Sequence, residues 1–252
     1  MNRLVAAEIL KLRTTRTFYV LMTIAVALVV LPTIPISALA HFEAAAENGP
    51  TEWFLYFIGG LIQSFALVLG ILAATTEFRH GTITPTLLVV PDRTRLMVAK
   101  LIAGLLVGLV LGLVSTGLIE LIVAGFASAR DFDAGDNQLP MLLGGTLTTA
   151  LYTAFGVGLG TLVRNQVGAL VGALIYVYVV EPLAGGLLGL WHVTENIMPR
   201  YSLGAVGNGL SGIDVSSDQV LGQVPAGLLL LLYTAIFVVA GLLMMRRRDI
   251  TA

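Results

Sequence analysis

LMVAKLIAGLLVGLVLGLVSTGLIELIVAGF, residues 96–126, is the stretch that decides the fold. Lys100 and Glu120 are its only charged residues. About 20 predominantly apolar residues at 1.5 Å rise suffice to cross a ~30 Å hydrocarbon core, so this run is long enough to span a membrane with tilt. Five further runs flank it, at about 18–40, 53–76, 139–163, 167–190 and 225–245. The 18–40 run ends in Ala38-Leu39-Ala40, which looks like a signal-peptide cleavage site. An apolar signal region covers only about 7–15 residues, so 18–40 is read as a span. The expectation is an all-α integral membrane protein, with residues 1–252 forming one transmembrane domain of six spans.

The charges orient those spans. Twelve of the fourteen Lys and Arg residues fall into four groups: Arg3 to Arg16, Arg79 to Lys100, Arg164, and Arg246 to Arg248. Acids dominate the alternate segments, with Glu43, Glu47 and Glu52, then Asp131, Asp133 and Asp136, then Glu195, Asp214 and Asp218. Lys and Arg near a span keep that end cytoplasmic, so six crossings put all four basic groups and both termini on the cytoplasmic face of a plasma (inner) membrane. Arg164 and Arg246 to Arg248 need no role beyond orientation.

Composition narrows the function. The chain is 57% hydrophobic and 12% charged, against about 25% charged for a soluble domain, and its mean hydropathy is +0.92. A formal net charge of -1 gives no basic face for nucleic acid. With no cysteine there is neither disulfide nor thiolate metal site, and His41, His80 and His192 have no metal-ligand spacing. P-loop, HExxH and GxSxG patterns are absent, so no catalytic residue, cofactor site or metal site is expected, and any ATP must be hydrolysed by another chain. Gly104, Gly108 and Gly112, like Gly156 and Gly160, recur every four residues, which suits close helix packing within the bundle, with a dimer seam as the other use.

Two acids lie within apolar runs. Glu120 falls roughly 36 Å along its helix and so reaches the outer interface. Glu181 falls roughly 21 Å into the fifth span, and an intramembrane acid either lines a substrate or proton path or makes a structural hydrogen bond. Pro182 and Gly185-Gly186 predict a kink or break beside it. Residues 191–224, with glycines at 204, 207, 209 and 212, either dip back into the membrane or form a surface loop.

The most specific segment joins spans two and three: Glu77-Phe78-Arg79-His80-Gly81-Thr82-Ile83-Thr84-Pro85-Thr86-Leu87-Leu88-Val89-Val90-Pro91-Asp92-Arg93. A connector needs only polarity, yet this one embeds five apolar residues between charged ends. Such residues dock into a partner's groove or lie on the membrane. Ile83 and Leu87, four apart, suit a short helix bounded by Gly81 and Pro91, with Pro85 in its first turn. The leader 1–17 is weakly amphipathic, because Glu8 interrupts the side formed by Leu4, Val5, Ile9 and Leu12.

The chain resembles the permease subunits of ABC-2-type transporters. The resemblance is carried by Glu8 to Arg16 running into Phe18, by Glu77, Arg79, Gly81, Thr82, Leu87, Leu88, Pro91, Arg93 and Lys100, and by Arg246 to Ile250. It implies that 81–91 is a coupling helix seated in a cytoplasmic ABC ATPase, that 1–17 is an interfacial helix, and that two permease copies or homologues work together. The function it implies is ATP-driven export of an apolar or amphipathic substrate. Two alternatives are a proton-coupled transporter using Glu181 and a membrane immunity or scaffold protein.

Overall fold

The computed structural model describes residues 1–43, 50–129, 138–190, 197–212 and 221–247. The acids Glu47, Asp131, Asp133, Asp136, Glu195, Asp214 and Asp218 lie outside them, as do His192 and Arg248. Among the described residues the chain is helical, and six of its helical stretches are long and apolar enough to cross a membrane.

Helix α1 (Asn2–Thr14) ends at Thr15, whose extended backbone turns the chain into α2 (Arg16–Glu43). Helix α3 (Pro50–Arg79) leads through Gly81, in the left-handed region at φ 67°, to α4 (Ile83–Val89). Pro85 is the third residue of α4, where a missing N–H costs no intrahelical bond. Asp92 then starts α5 (Arg93–Ala129), its Oδ1 accepting from Thr94 N at 3.0 Å and Arg95 N at 3.2 Å. Helix α6 (Gln138–Val163) reverses at Arg164 and Asn165 into α7 (Gln166–Ile175), with Asn165 Oδ1 accepting from Gly168 N at 3.0 Å.

The fifth span, expected to kink or break beside Glu181, does not break at Pro182. Instead, one π-helical turn (Tyr176–Val180) joins α7 to α8 (Glu181–Leu188), placing Pro182 second in α8. A wide turn leaves room for a ring that would clash with the preceding carbonyls of a regular helix, so the span continues.

Helix α6 is the hub and packs against α3, α5 and α11 (Gln223–Arg247). The glycine stripe of α5 faces α6. A Cβ added at Gly108 would sit 2.6 Å from Ala150 Cα, so the stripe serves helix packing inside the protomer. The buried hydroxyls of Thr148, Thr149, Thr153 and Thr161 each donate to the carbonyl four residues back, which satisfies them within the bundle.

Short α9 (Ile197–Tyr201) and α10 (Leu203–Ser211) fall in the segment whose path the sequence left open. Almost every residue of α10 is buried, against α3, α6 and α11. Tyr152 OH donates to Leu203 O at 2.5 Å, and Gln63 Nε2 donates to Asn208 Oδ1 at 3.0 Å. Tyr152 stands some 14 residues, roughly 21 Å, from the Gln138 end of α6, so α10 starts near mid-bundle and runs toward that end. Residues 203–211 thus pack inside the helix bundle. Gly212, at φ 77°, closes α10.

Candidate functional site

The segment 77–93 does not behave as one exposed loop. Its seven-residue helix α4 turns Ile83 inward, 5% exposed, and leaves Leu87 half-buried. Leu88 and Val89 are 81% and 83% exposed. The two outward apolar side chains are thus adjacent at the end of α4, whereas helical spacing alone had paired Ile83 with Leu87. Thr82 and Pro91 are exposed on either side. Arg79 reaches Gln166 Oε1 at a long 3.5 Å.

Glu77, at the root of this segment, is buried. Its carboxylate belongs to a four-membered ion ring that sequence reasoning missed. Lys11 Nζ lies 2.5 Å from Glu8 Oε1 and 2.6 Å from Glu77 Oε1. Lys100 Nζ lies 2.7 Å from Glu8 Oε2 and 3.0 Å from Glu77 Oε2, the last a charge contact and not an aimed hydrogen bond. Each acid therefore meets both bases, each through a different oxygen. The side chains of Glu8, Glu77 and Lys100 are 7–8% exposed and that of Lys11 is 44%. Burial alone would lower the Lys11 pKa, but its hydrogen bonds to Glu77 and Glu8 outweigh that and hold it above the ordinary 10.5. The ring joins α1, the end of α3 and the start of α5. A signal for it existed: Glu8 spoils the apolar side of α1, and Lys100 sits five residues into an apolar run.

The other basic residues at this end also have structural roles. Arg93 Nη1 donates to Met245 O at 2.5 Å and Arg164 Nη2 to Met244 O at 3.0 Å, satisfying carbonyls at the end of α11. Arg164 also stands over the Phe78 ring at 5.6 Å, and Arg246 Nη2 donates to Thr94 Oγ1 at 2.7 Å. Arg164 and Arg246, expected to act through charge alone, make directed contacts that gather α11, α5 and the α6–α7 turn.

Glu181 stands apart from this end. Its Oε1 accepts from Gly204 N at 2.8 Å, so it binds the N-terminal turn of α10. Tyr178 OH donates to Ser64 Oγ at 2.8 Å, a second tie between the exposed fifth span and the bundle. A cavity of about 380 Å³ lies beside it, lined by Leu67, Phe155, Tyr176, Leu203, Tyr233 and Phe237, with no charged side chain. A larger one of about 600 Å³ borders the ion ring. Glu120 is half-buried on a cavity of about 60 Å³ near Gln63. Among the described residues, no group of three His, Cys, Asp or Glu could hold a metal ion.

A family model described as ABC-2 family transporter protein matches residues 4–180, from α1 through the π-helical turn. No curated protein matches the chain.

Proposed function

We propose that this chain, which belongs to the ABC-2 transporter family, is the permease subunit of an ATP-driven exporter that works with a separate cytoplasmic ATPase. A membrane component of that family supplies the crossing, and nucleotide chemistry is left to the partner. The observation that carries the coupling is the pair Leu88 and Val89, 81% and 83% exposed on a seven-residue helix between the second and third spans. An apolar pair on a short helix at a basic end suits insertion into a protein cleft.

The basic end, holding α1, α4, the α6–α7 turn and the end of α11, faces the cytoplasm of a plasma membrane. Residues 81–91 act as the coupling helix, with Gly81 and Thr82 turning the chain, Ile83 and the half-buried Leu87 anchoring it, and Leu88, Val89 and Pro91 forming its outer side. A second permease copy or a homologue completes the path, and the sparsely packed fifth span offers the surface for it. The substrate is apolar or amphipathic, in keeping with the uncharged cavity beside Tyr176. Proton coupling through Glu181 is the weaker reading, because Glu181 lines none of the three cavities described above. A scaffold or immunity role predicts no ATP dependence.

Co-expression with candidate P-loop ATPases tests this. The wild-type chain is expected to retain one, with ATP hydrolysis in the purified complex. Leu88→Asp with Val89→Asp should lose it while the permease still inserts. Failure to recruit any ATPase, or full retention by the double variant, would refute the reading.

A further inference from the structure

We infer that the ring of Glu8, Lys11, Glu77 and Lys100 locks α1, the end of α3 and the start of α5 into one rigid body that moves with α4. This inference rests on the ATP-driven reading above. Four observations carry it.

The ring is closed and alternating. A slide of α1 relative to α3 or α5 separates Glu8 from Lys100 or Lys11 from Glu77, and leaves charge unmatched. With three of the four side chains under a tenth exposed, the ring charges are balanced chiefly by one another, and separating a buried pair is strongly unfavourable. Glu77 also belongs to the turn that launches the coupling segment, since its backbone oxygen accepts from Thr82 N at 3.0 Å. One residue thus ties α4 through its main chain and α1 and α5 through its side chain. Finally, α1 packs on α5 and on the start of α2, while the cavity of about 600 Å³ is lined by both α1 and α3. The ring bridges helices that leave space between them. A contact meant only to steady α3 would need a single lysine. Both lysines, on two further helices, share both acids.

Glu8, Lys11, Glu77 and Lys100 are therefore positioning residues for coupling: they touch no nucleotide and deliver α4 movement to the interfacial helix and the third span. The chain has no cysteine, so labels can be placed without prior substitution. Spin labels at Leu10→Cys on α1 and Thr84→Cys on α4, both exposed, would report the α1–α4 distance in the permease–ATPase complex. Measurements are made in lipid vesicles without nucleotide and after vanadate trapping of ATP hydrolysis. For the wild-type ring the distribution should be narrow and the same in both states. With Glu8→Gln or Glu77→Gln it should broaden roughly twofold and shift on trapping, as expected once a rigid body is divided. Inverting the whole ring (Glu8→Lys, Lys11→Glu, Glu77→Lys, Lys100→Glu) should restore the narrow distribution, which a mere loss of stability would not produce. If that variant does not assemble, the two single variants decide alone.

A wild-type α1–α4 distance that changes on trapping, or a Glu8→Gln distribution that stays narrow and constant, overturns the inference. ATP hydrolysis is followed in the same samples. Hydrolysis with a shifting wild-type distance removes the rigid-body inference only, whereas absence of any associating ATPase removes the exporter reading with it.

Discussion

Glu77 and Glu181 are two carboxylates on apolar spans, and their partners differ in kind. Glu77 shares two ammonium groups with Glu8, so its charge is matched by charge. Glu181 accepts from the Gly204 amide at the N-terminal turn of α10, so it is matched by a backbone dipole. The first arrangement fixes three helices at the end of the bundle where α4 lies. The second ties the exposed fifth span to a half-helix that starts mid-bundle. A charged partner requires the ionised acid, while an amide donor is content with any acceptor. That contrast identifies the α4 end as the stiff one and the fifth span as lightly held.

Glutamine separates the two roles most sharply. Glu77→Gln leaves two lysines to one acid in a buried site, and breaking such a network costs about 3–5 kcal/mol, seen as a large drop in thermal stability in detergent. Glu181→Gln keeps an oxygen for Gly204 N and should cost under about 1 kcal/mol. Equal losses in the two variants would abolish the distinction. Glu181→Ala strands that amide and should cost about 1–3 kcal/mol by the same assay. Gly204→Val addresses the contact from its other side. A Cβ there falls 2.7 Å from Glu181 Oε1, so the carboxylate must withdraw, and the loss should match that of Glu181→Ala.

The smallest effect is alkaline. The folded pKa of Lys11 is raised above 10.5, so its contribution to stability is complete below that value and is lost as pH climbs through the folded pKa. Thermal unfolding should show a decline above about pH 10.5 that Lys11→Met lacks, with Glu181→Ala showing the same decline as wild type. Exposure of Lys11 makes this decline modest.

Much of the fold could be read in advance, because each crossing is a local property of its own residues. Apolar length marks the spans, and Gly81 and Pro91 delimit α4. The four-residue glycine spacing on 104–112 already indicated close packing, and Ala150 shows against which helix. What escaped depends on distant residues meeting. Glu8, Glu77 and Lys100 are spread over three helices, and each alone looks like a topology signal or a flaw in an apolar face. Residues 203–211 are too short and glycine-rich to register as a span, yet Tyr152 and Gln63 await them in the bundle. The π-helical turn before Glu181 escaped too, since Pro182 by itself signals only a kink or break.

The coupling claim is tested most directly by photo-crosslinking within the membrane-embedded complex. A photoreactive residue at Leu88 should capture the ATPase, while one at Leu183, exposed on the lightly held fifth span, should not. Capture of the ATPase from Leu183 but not from Leu88, or from neither, would contradict the account.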